Sequence, residues 1–216
     1  MIAEKVHLRP ITAADTAKIV AWRNKEFVRK NFIYQKLFTE ESHMAWLHEQ
    51  VEPGHVVQFI ICLTDSKECP KEKHGGADKR ETEHVKPCME KTCESDEASV
   101  CREIGSVYLR DIDRTAGTAE YGVFIGEEDA LGRGYGTAAA KLMLAYGFEK
   151  LELKKIFLRF VEGNAGAWKS YEKAGFCMIE DRRETVSLEQ GERAVFFMET
   201  ERSAWERKKR LGTEKR

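Results

Sequence analysis

At 216 residues the chain is long enough to bury a sizeable core in one domain, and 42% hydrophobic with 34% charged residues excludes a disordered chain. A formal net charge of −1 gives no global pull toward nucleic acid or an anionic membrane, so neither is expected as a partner. No run of 18 apolar residues offers a membrane span, and six cysteines without an apolar leader read as reduced thiols in the cytoplasm.

Residues 6–10 read as a first strand that Pro10 ends. Thr12-Ala-Ala-Asp15 predicts a helix start, with Thr12 as N-cap, Asp15 three residues on, and Ile19, Val20 and Trp22 on one apolar face. A second helix fits 39–51: Thr39 opens it, Met44, Leu47 and Val51 keep the register, and Pro53-Gly54 stops it. The β-branched run 56–63 reads as a buried strand. Between 64 and 102, ten Asp/Glu and eight Lys/Arg crowd together while Pro70, Gly75-Gly76 and Pro87 break every period. This stretch is expected to be a charged, flexible insertion within the domain.

Strands follow at 104–109 and 118–125, joined by a hairpin connection. A glycine cluster at 131–136 leads into a helix that reaches about Lys150, with Ala138, Leu142, Met143 and Tyr146 at helical spacing. Next come a strand at 155–161, a short helix at 164–174 stopped by Gly175, and a closing hairpin of 176–188 with 193–200. The passage from 118 to 161 is a βαβ unit whose strands should be parallel, with a right-handed crossover. The fold class expected is therefore α/β, a mixed sheet with flanking helices, over residues 1–201. Residues 202–216 carry seven Lys/Arg against two Glu and are expected to form a basic, solvated, partly frayed tail.

The junction from Ile125 to Thr137 carries the most chemical information. Gly132, Gly134 and Gly136 alternate just before a helix begins. Glycines let backbone N–H groups approach a bulky anion, and the helix start adds about half a positive charge. A pyrophosphate suits that place, with Arg133 able to reinforce it. The specific rival is a dinucleotide-binding loop, but its spacing is Gly-x-Gly-x-x-Gly and this one is Gly-x-Gly-x-Gly. No P-loop sequence is present.

Three segments together carry a resemblance: Ala119-Glu-Tyr-Gly-Val-Phe-Ile125, Gly132-Arg-Gly-Tyr-Gly-Thr137 and Asn164-Ala-Gly-Ala-Trp-Lys-Ser-Tyr-Glu-Lys-Ala-Gly-Phe176. Residues 118–176 resemble the core of the GNAT N-acetyltransferase superfamily, and Leu8-Arg-Pro10 and the C-terminal hairpin extend the similarity. The resemblance implies a single-domain, mostly antiparallel twisted sheet around the central parallel βαβ unit. It implies acetyl-CoA as cosubstrate and no metal. Val123, Phe124 and Ile125 would hydrogen-bond the pantetheine arm. Leu131, Gly132, Arg133, Gly134, Tyr135, Gly136 and Thr137 would hold the pyrophosphate, although Leu131 stands where the family usually has Gln or Arg. Asn164 would contact the arm, and Tyr171 would sit near the sulfur.

The reaction needs a neutral amine, a polarised carbonyl and a proton for the departing thiolate. A phenol stays protonated at pH 7, so Tyr171 is the acid expected. Glu120 is a base candidate or a salt-bridged strand residue, and His43 is a second candidate or a surface histidine. Backbone N–H groups near Val123 are candidates to polarise the carbonyl. Arg23, Asn24 and Arg29, in a segment similar to amino-sugar-nucleotide acetyltransferases and also to acetyltransferases of ribosomal protein N-termini, within a branch that also resembles polyamine acetyltransferases, either line the acceptor site together with His43 or cap and pair locally. The partner expected is a small-molecule amine such as an amino-sugar nucleotide. A protein N-terminus as acceptor, or an acyl-CoA sensor that transfers nothing, are the alternatives. A homodimer fits this architecture, though no residue pattern encodes one. Cys69, Cys88, Cys93 and Cys101, with His74 and His84, invite a zinc reading, but only Cys88 and Cys93 approach the usual ligand spacing. Cys62 and Cys177 read as small buried hydrophobes.

Overall fold

In the computed structural model, which describes residues 6–64, 101–188 and 191–213, the chain opens with strand β1 (Val6–Pro10), its last residue the one without an N–H donor. A 3-10 turn (Ala13–Asp15) feeds α1 (Thr16–Asn24), and the Asp15 carboxylate accepts the Thr12 backbone N–H at 2.8 Å. A single turn, α2 (Glu26–Arg29), follows without any signal in the hydrophobic period. In α3 (Glu40–Trp46) the cap is reciprocal: Thr39 N–H donates to Ser42 Oγ at 3.0 Å and Ser42 N–H to Thr39 Oγ1 at 3.2 Å. The expected continuation to Val51 exists, but as a π-helical turn (Leu47–Val51).

Next come β2 (Val57–Leu63), β3 (Arg102–Asp113) and β4 (Thr118–Ile125), then α4 (Tyr135–Glu149), β5 (Lys155–Val161) and α5 (Ala165–Ala174). The hairpin β6 (Cys177–Leu188) and β7 (Gly191–Glu201) precedes α6 (Arg202–Thr213). The seven strands form one sheet in the order β1-β2-β3-β4-β5-β7-β6. Every neighbouring pair is antiparallel except β4 with β5, the pair the βαβ reading predicts to be parallel. Apart from Thr64, Cys101 and Arg102, the insertion expected at 64–102 lies outside the described residues.

Period-2 alternation divides the core between the two faces of the sheet. Phe59 and Ile61 join the larger cluster, which α4 covers; Ile60 and Cys62 join Ile19, Trp22, Val28 and Phe124 in a smaller one beneath α1 and α2. The buried face of α4 is centred on Ala140, Met143, Leu144, Gly147 and Phe148, so the predicted stripe is rotated: Leu142 and Tyr146 are only half-buried. Gly147 explains the close seat of this helix. A Cβ there would lie 2.6 Å from Ile156 Cδ1 and 3.0 Å from Leu109 Cδ1.

Two expectations need correction. Residues 202–213 are not a frayed tail but a helix, because Trp205 gives that basic segment an apolar anchor, its ring 5.4 Å from that of Phe148. Cys177 is exposed at the start of β6 rather than buried. No helix among the described residues is long and apolar enough to cross a membrane.

Candidate active site

β4 and β5 pair only where Thr118–Glu120 face Lys155–Phe157. Beyond that point β5 continues with β7 while β4 stays with β3, so the two parallel strands part. The rest of β4, from Tyr121 to Ile125, has an edge free of strand partners on that side among the described residues. It faces a cavity of about 570 Å³, the size of a small-molecule site. A ligand with amides of its own can complete that edge as a strand would.

The glycine loop closes one end of this cavity. Gly132 and Gly134 have φ of 71° and 84°, values that favour glycine, and Gly134 is the N-cap of α4. The first helical bond runs from Ala138 N–H to the Gly134 carbonyl at 3.0 Å. The N–H groups of Tyr135, Gly136 and Thr137 therefore precede the helical ladder and stand available at the positive end of a 15-residue helix. A Cβ on Gly136 would meet only Ser170 Oγ, at 3.6 Å, so the floor of the loop is open. Thr137 Oγ1 and Ser170 Oγ, 2.9 Å apart, tie the start of α4 to α5. These residues fit a diphosphate by backbone donors alone, which is why Leu131 in place of a polar residue does not disqualify the loop.

Of the residues expected to hold the cofactor, Val123, Phe124, Ile125, Leu131, Gly132, Gly134, Tyr135, Gly136, Thr137 and Asn164 all line the cavity, and Arg133 does not. Asn164 also caps α5: its Oδ1 accepts the Ala167 N–H at 3.2 Å, leaving Nδ2 without a partner among the described residues. Tyr171 lines the same cavity at 8% exposure, wedged edge-on between Tyr121, Phe160 and Phe176 at ring separations of 6.0 to 6.2 Å. Burial, with a smaller contribution from Tyr108, pushes its phenol well above the ordinary tyrosine range, so it is fully protonated at neutral pH. Burial raises Tyr121 likewise, and its enclosed hydroxyl has no partner among the described residues.

The acceptor end differs from expectation. Glu120, 6% exposed, is gripped by two guanidiniums: Arg110 Nη2 donates to Oε1 at 2.9 Å, and Arg159 donates to both oxygens at 3.1 and 3.0 Å. The salt-bridged alternative is the one observed. Arg110 and Arg159 come from the strands on either side, and no sequence signal marks them, because a charged residue in a strand reads as solvent-facing. Tyr108 likewise carries no sequence signal of its place in the cavity. Its ring lies over β4 at Gly122, where a Cβ would come within 2.3 Å of it.

The structure takes Arg23, Asn24, Arg29 and His43 out of the cavity lining. Arg23 is 8% exposed, with its guanidinium carbon 3.3 Å from the Phe32 ring centre, and burial lowers it to about 10, still charged at neutral pH. Asn24 staples the loop before α3, bonding the Phe38 carbonyl and N–H at 2.8 Å each. Arg29 donates to the Gln35 carbonyl at 3.1 Å. His43 is 1% exposed, its Nδ1 3.0 Å from Thr16 Oγ1. All four organise the α1–α3 layer; the neighbouring segment from Phe27 to Tyr34 is what reaches the cavity.

A parallel strand pair opened over a helix start, with a buried phenol inside, is an arrangement suited to an acyl-CoA-dependent transferase. The chain belongs to the GNAT acetyltransferase family, whose domain model matches residues 5–177. It is similar in structure to spermidine N-acetyltransferase from Vibrio cholerae in complex with CoA and spermine. That match has a TM-score of 0.71 at 17% identity, over 94% of this chain and 98% of that one. A dodecameric structure of the Vibrio enzyme gives a TM-score of 0.65 at 17% identity, over 94% and 96%. In sequence the chain is 24% identical over 182 residues to an uncharacterised protein of Methanocaldococcus jannaschii, covering 83% of this chain and only 30% of that relative.

Proposed function

We propose that this protein transfers the acetyl group of acetyl-CoA to a primary amine by direct attack in a ternary complex. The acceptor in this reading is a small molecule that carries an anionic group, such as an amino-sugar nucleotide. One observation carries the acceptor class: the charged residues lining the cavity are Lys30, Arg110, Arg159, Lys169 and Lys173 against Glu120 alone. Lys169 and Lys173 lie on α5 and suit the coenzyme's phosphates. At the other end Glu120 is engaged by Arg110 and Arg159, which also reach Asp111 at 3.6 Å and Glu184 at 3.9 Å outside the lining, so the surplus of positive charge is that of the cavity wall itself, with Lys30 in the same lining as the two arginines. A polycation such as the spermine bound by the Vibrio enzyme would meet repulsion there, and a phosphate or carboxylate would meet partners.

The coenzyme, when bound, supplies an activated thioester. The amides from Gly132 to Thr137 hold the diphosphate, the free edge of β4 aligns the arm, and Asn164 Nδ2 donates to it. An N–H near Val123 polarises the carbonyl. Tyr171 holds the proton that the leaving sulfur requires. Glu120 orients the two arginines, and because its Oε2 accepts only one hydrogen bond it keeps a lone pair that takes the amine's proton directly or through water, while solvent returns a proton to Tyr171. A homodimer and a cytoplasmic location, where thiols stay reduced, complete the reading.

An acetyl-CoA consumption screen over amino-sugar nucleotides, polyamines, aminoglycosides and N-terminal peptides tests the acceptor class. Turnover is expected with anionic amines, at least about tenfold above spermidine in kcat/KM. Faster turnover of polyamines or of peptide N-termini overturns it. Calorimetry with CoA tests the rest, and no heat of binding would remove the enzyme reading altogether.

A further inference from the structure

Outside the cavity, at the β1 side of the sheet, three groups of another chemistry converge. His7 on β1 and Cys62 on β2 are direct cross-strand partners, so their side chains leave the same face of the sheet. Cys101 stands one residue before β3, whose Arg102 pairs with Leu63. His7 Nε2, Cys62 Sγ and Cys101 Sγ all lie within 4.8 Å of one another, and Nε2 is 3.4 Å from Cys101 Sγ. In tetrahedral zinc coordination, bonds of about 2.3 Å to sulfur and 2.0–2.1 Å to nitrogen put S and N about 3.5 Å apart and two sulfurs about 3.8 Å apart. The observed His7–Cys101 separation matches that spacing, and the other two sides, within 4.8 Å, need to close by about 1 Å at most.

We propose that His7, Cys62 and Cys101 are the three protein ligands of a zinc ion that pins the ends of β1, β2 and β3 together. Thiolate and imidazole donors select zinc over magnesium or calcium. Binding releases two thiol protons to solvent, and two thiolates exactly offset one divalent ion. The unit is neutral, which makes a ligand as buried as Cys62 (0% exposed) tolerable. The nearby Arg9 guanidinium is already engaged by Asp15 and Glu103, so it does not face the ion as an unpaired charge. One coordination position remains for water. None of the three residues lines the acetyl-transfer cavity, so the ion's role is to hold the sheet edge. Ligand spacing across positions 7, 62 and 101 matches no sequence pattern for zinc; only the pairing of three strands assembles it.

Cobalt(II) titration of the full, reduced, metal-stripped chain tests the site, because thiolate–cobalt bonds give a near-ultraviolet charge-transfer band. Cys69, Cys88 and Cys93 are first replaced by serine so that they cannot contribute. In that background one equivalent of cobalt is expected to give a band of two-thiolate intensity that zinc displaces. Cys101→Ser should halve the band. Both it and His7→Gln should weaken zinc binding at least about tenfold. Neither change touches the buried Cys62, and circular dichroism on each variant separates lost binding from lost folding. If the background protein gives no band, or if either substitution leaves zinc affinity unchanged in a folded protein, the proposal is wrong.

Discussion

Tyr171 combines a ring fixed by three aromatic neighbours with a hydroxyl that has no hydrogen-bond partner among the described residues. A buried phenol in that state is a poor base, since burial disfavours the phenolate, but it is a ready donor to a new anion. The departing thiolate is such an anion. Tyr171→Phe keeps the ring packing and removes only the proton, so binding and chemistry should separate. We expect kcat to fall by about a hundredfold or more while the calorimetric affinity for CoA changes little. Unchanged kcat across the pH range would assign the proton to another donor. At this scale Glu120 shows the opposite arrangement, a carboxylate whose oxygens both accept from Arg110 and Arg159. Both residues were expected in the site from sequence. Their different availability is set by what neighbouring strands and helices bring to them.

Among the elements, the contact of α1 with α3 carries a pH dependence. Thr16 Oγ1 stands 3.0 Å from His43 Nδ1 and 3.3 Å from Met44 Sδ, so His43 is held by one hydrogen bond through its Nδ1. Its enclosed Nε2 has no partner among the described residues, so nothing there stabilises a second ring proton. Burial lowers its pKa below the usual 6.5, only partly opposed by the carboxylate of Asp15. Below pH 6.5 the unfolded chain takes up a proton that the folded one refuses, and stability falls as pH drops toward the folded value. The slope is at most about 1.4 kcal/mol per pH unit for one group. Urea unfolding from pH 7.5 to 5 should show His43→Gln losing less stability than the wild type over that window. Equal losses would exclude His43 as the source. The same layer shows why legibility was uneven. The run from β4 through α5 could be read because glycine turns, caps and a 3.6 period are local signals. Arg23 and His43 look like surface residues in one dimension, and only the packing of Phe32 and Thr16 against them reveals their burial. Arg110 and Arg159 were out of reach for a related reason, since they meet Glu120 through sheet adjacency and not through spacing.

For the whole molecule, the sheet has helices on both faces, and α6 is the last of them in the chain. Its composition is basic and its sequence pattern favours solvation, so its attachment must be explained by something other than charge. The Lys209–Glu149 pair at 2.6 Å is half-exposed on both sides, and pairs of that kind contribute little. Lys208 Nζ adds an exposed hydrogen bond to the Gly175 carbonyl and Arg202 N–H one to the Lys154 carbonyl, and the main apolar contact is Trp205, half-buried on Phe148 with rings 5.4 Å apart and tilted by 43°. Phe148 itself is fully buried in α4, whose other end presents the amides of the anion loop. α6 therefore braces the far end of the helix on which the proposed coenzyme site depends, without entering the cavity. Removing the indole should cost about 1–3 kcal/mol, the range for a partly buried aromatic, and leave the catalytic groups in place. Trp205→Ala should lower the urea midpoint with little change in m-value while kcat/KM at moderate temperature stays within about twofold. A midpoint identical to the wild type would mean that α6 is undocked in solution. A large loss of kcat/KM with stability intact would instead mean that α6 positions α4, and so the anion loop, for catalysis.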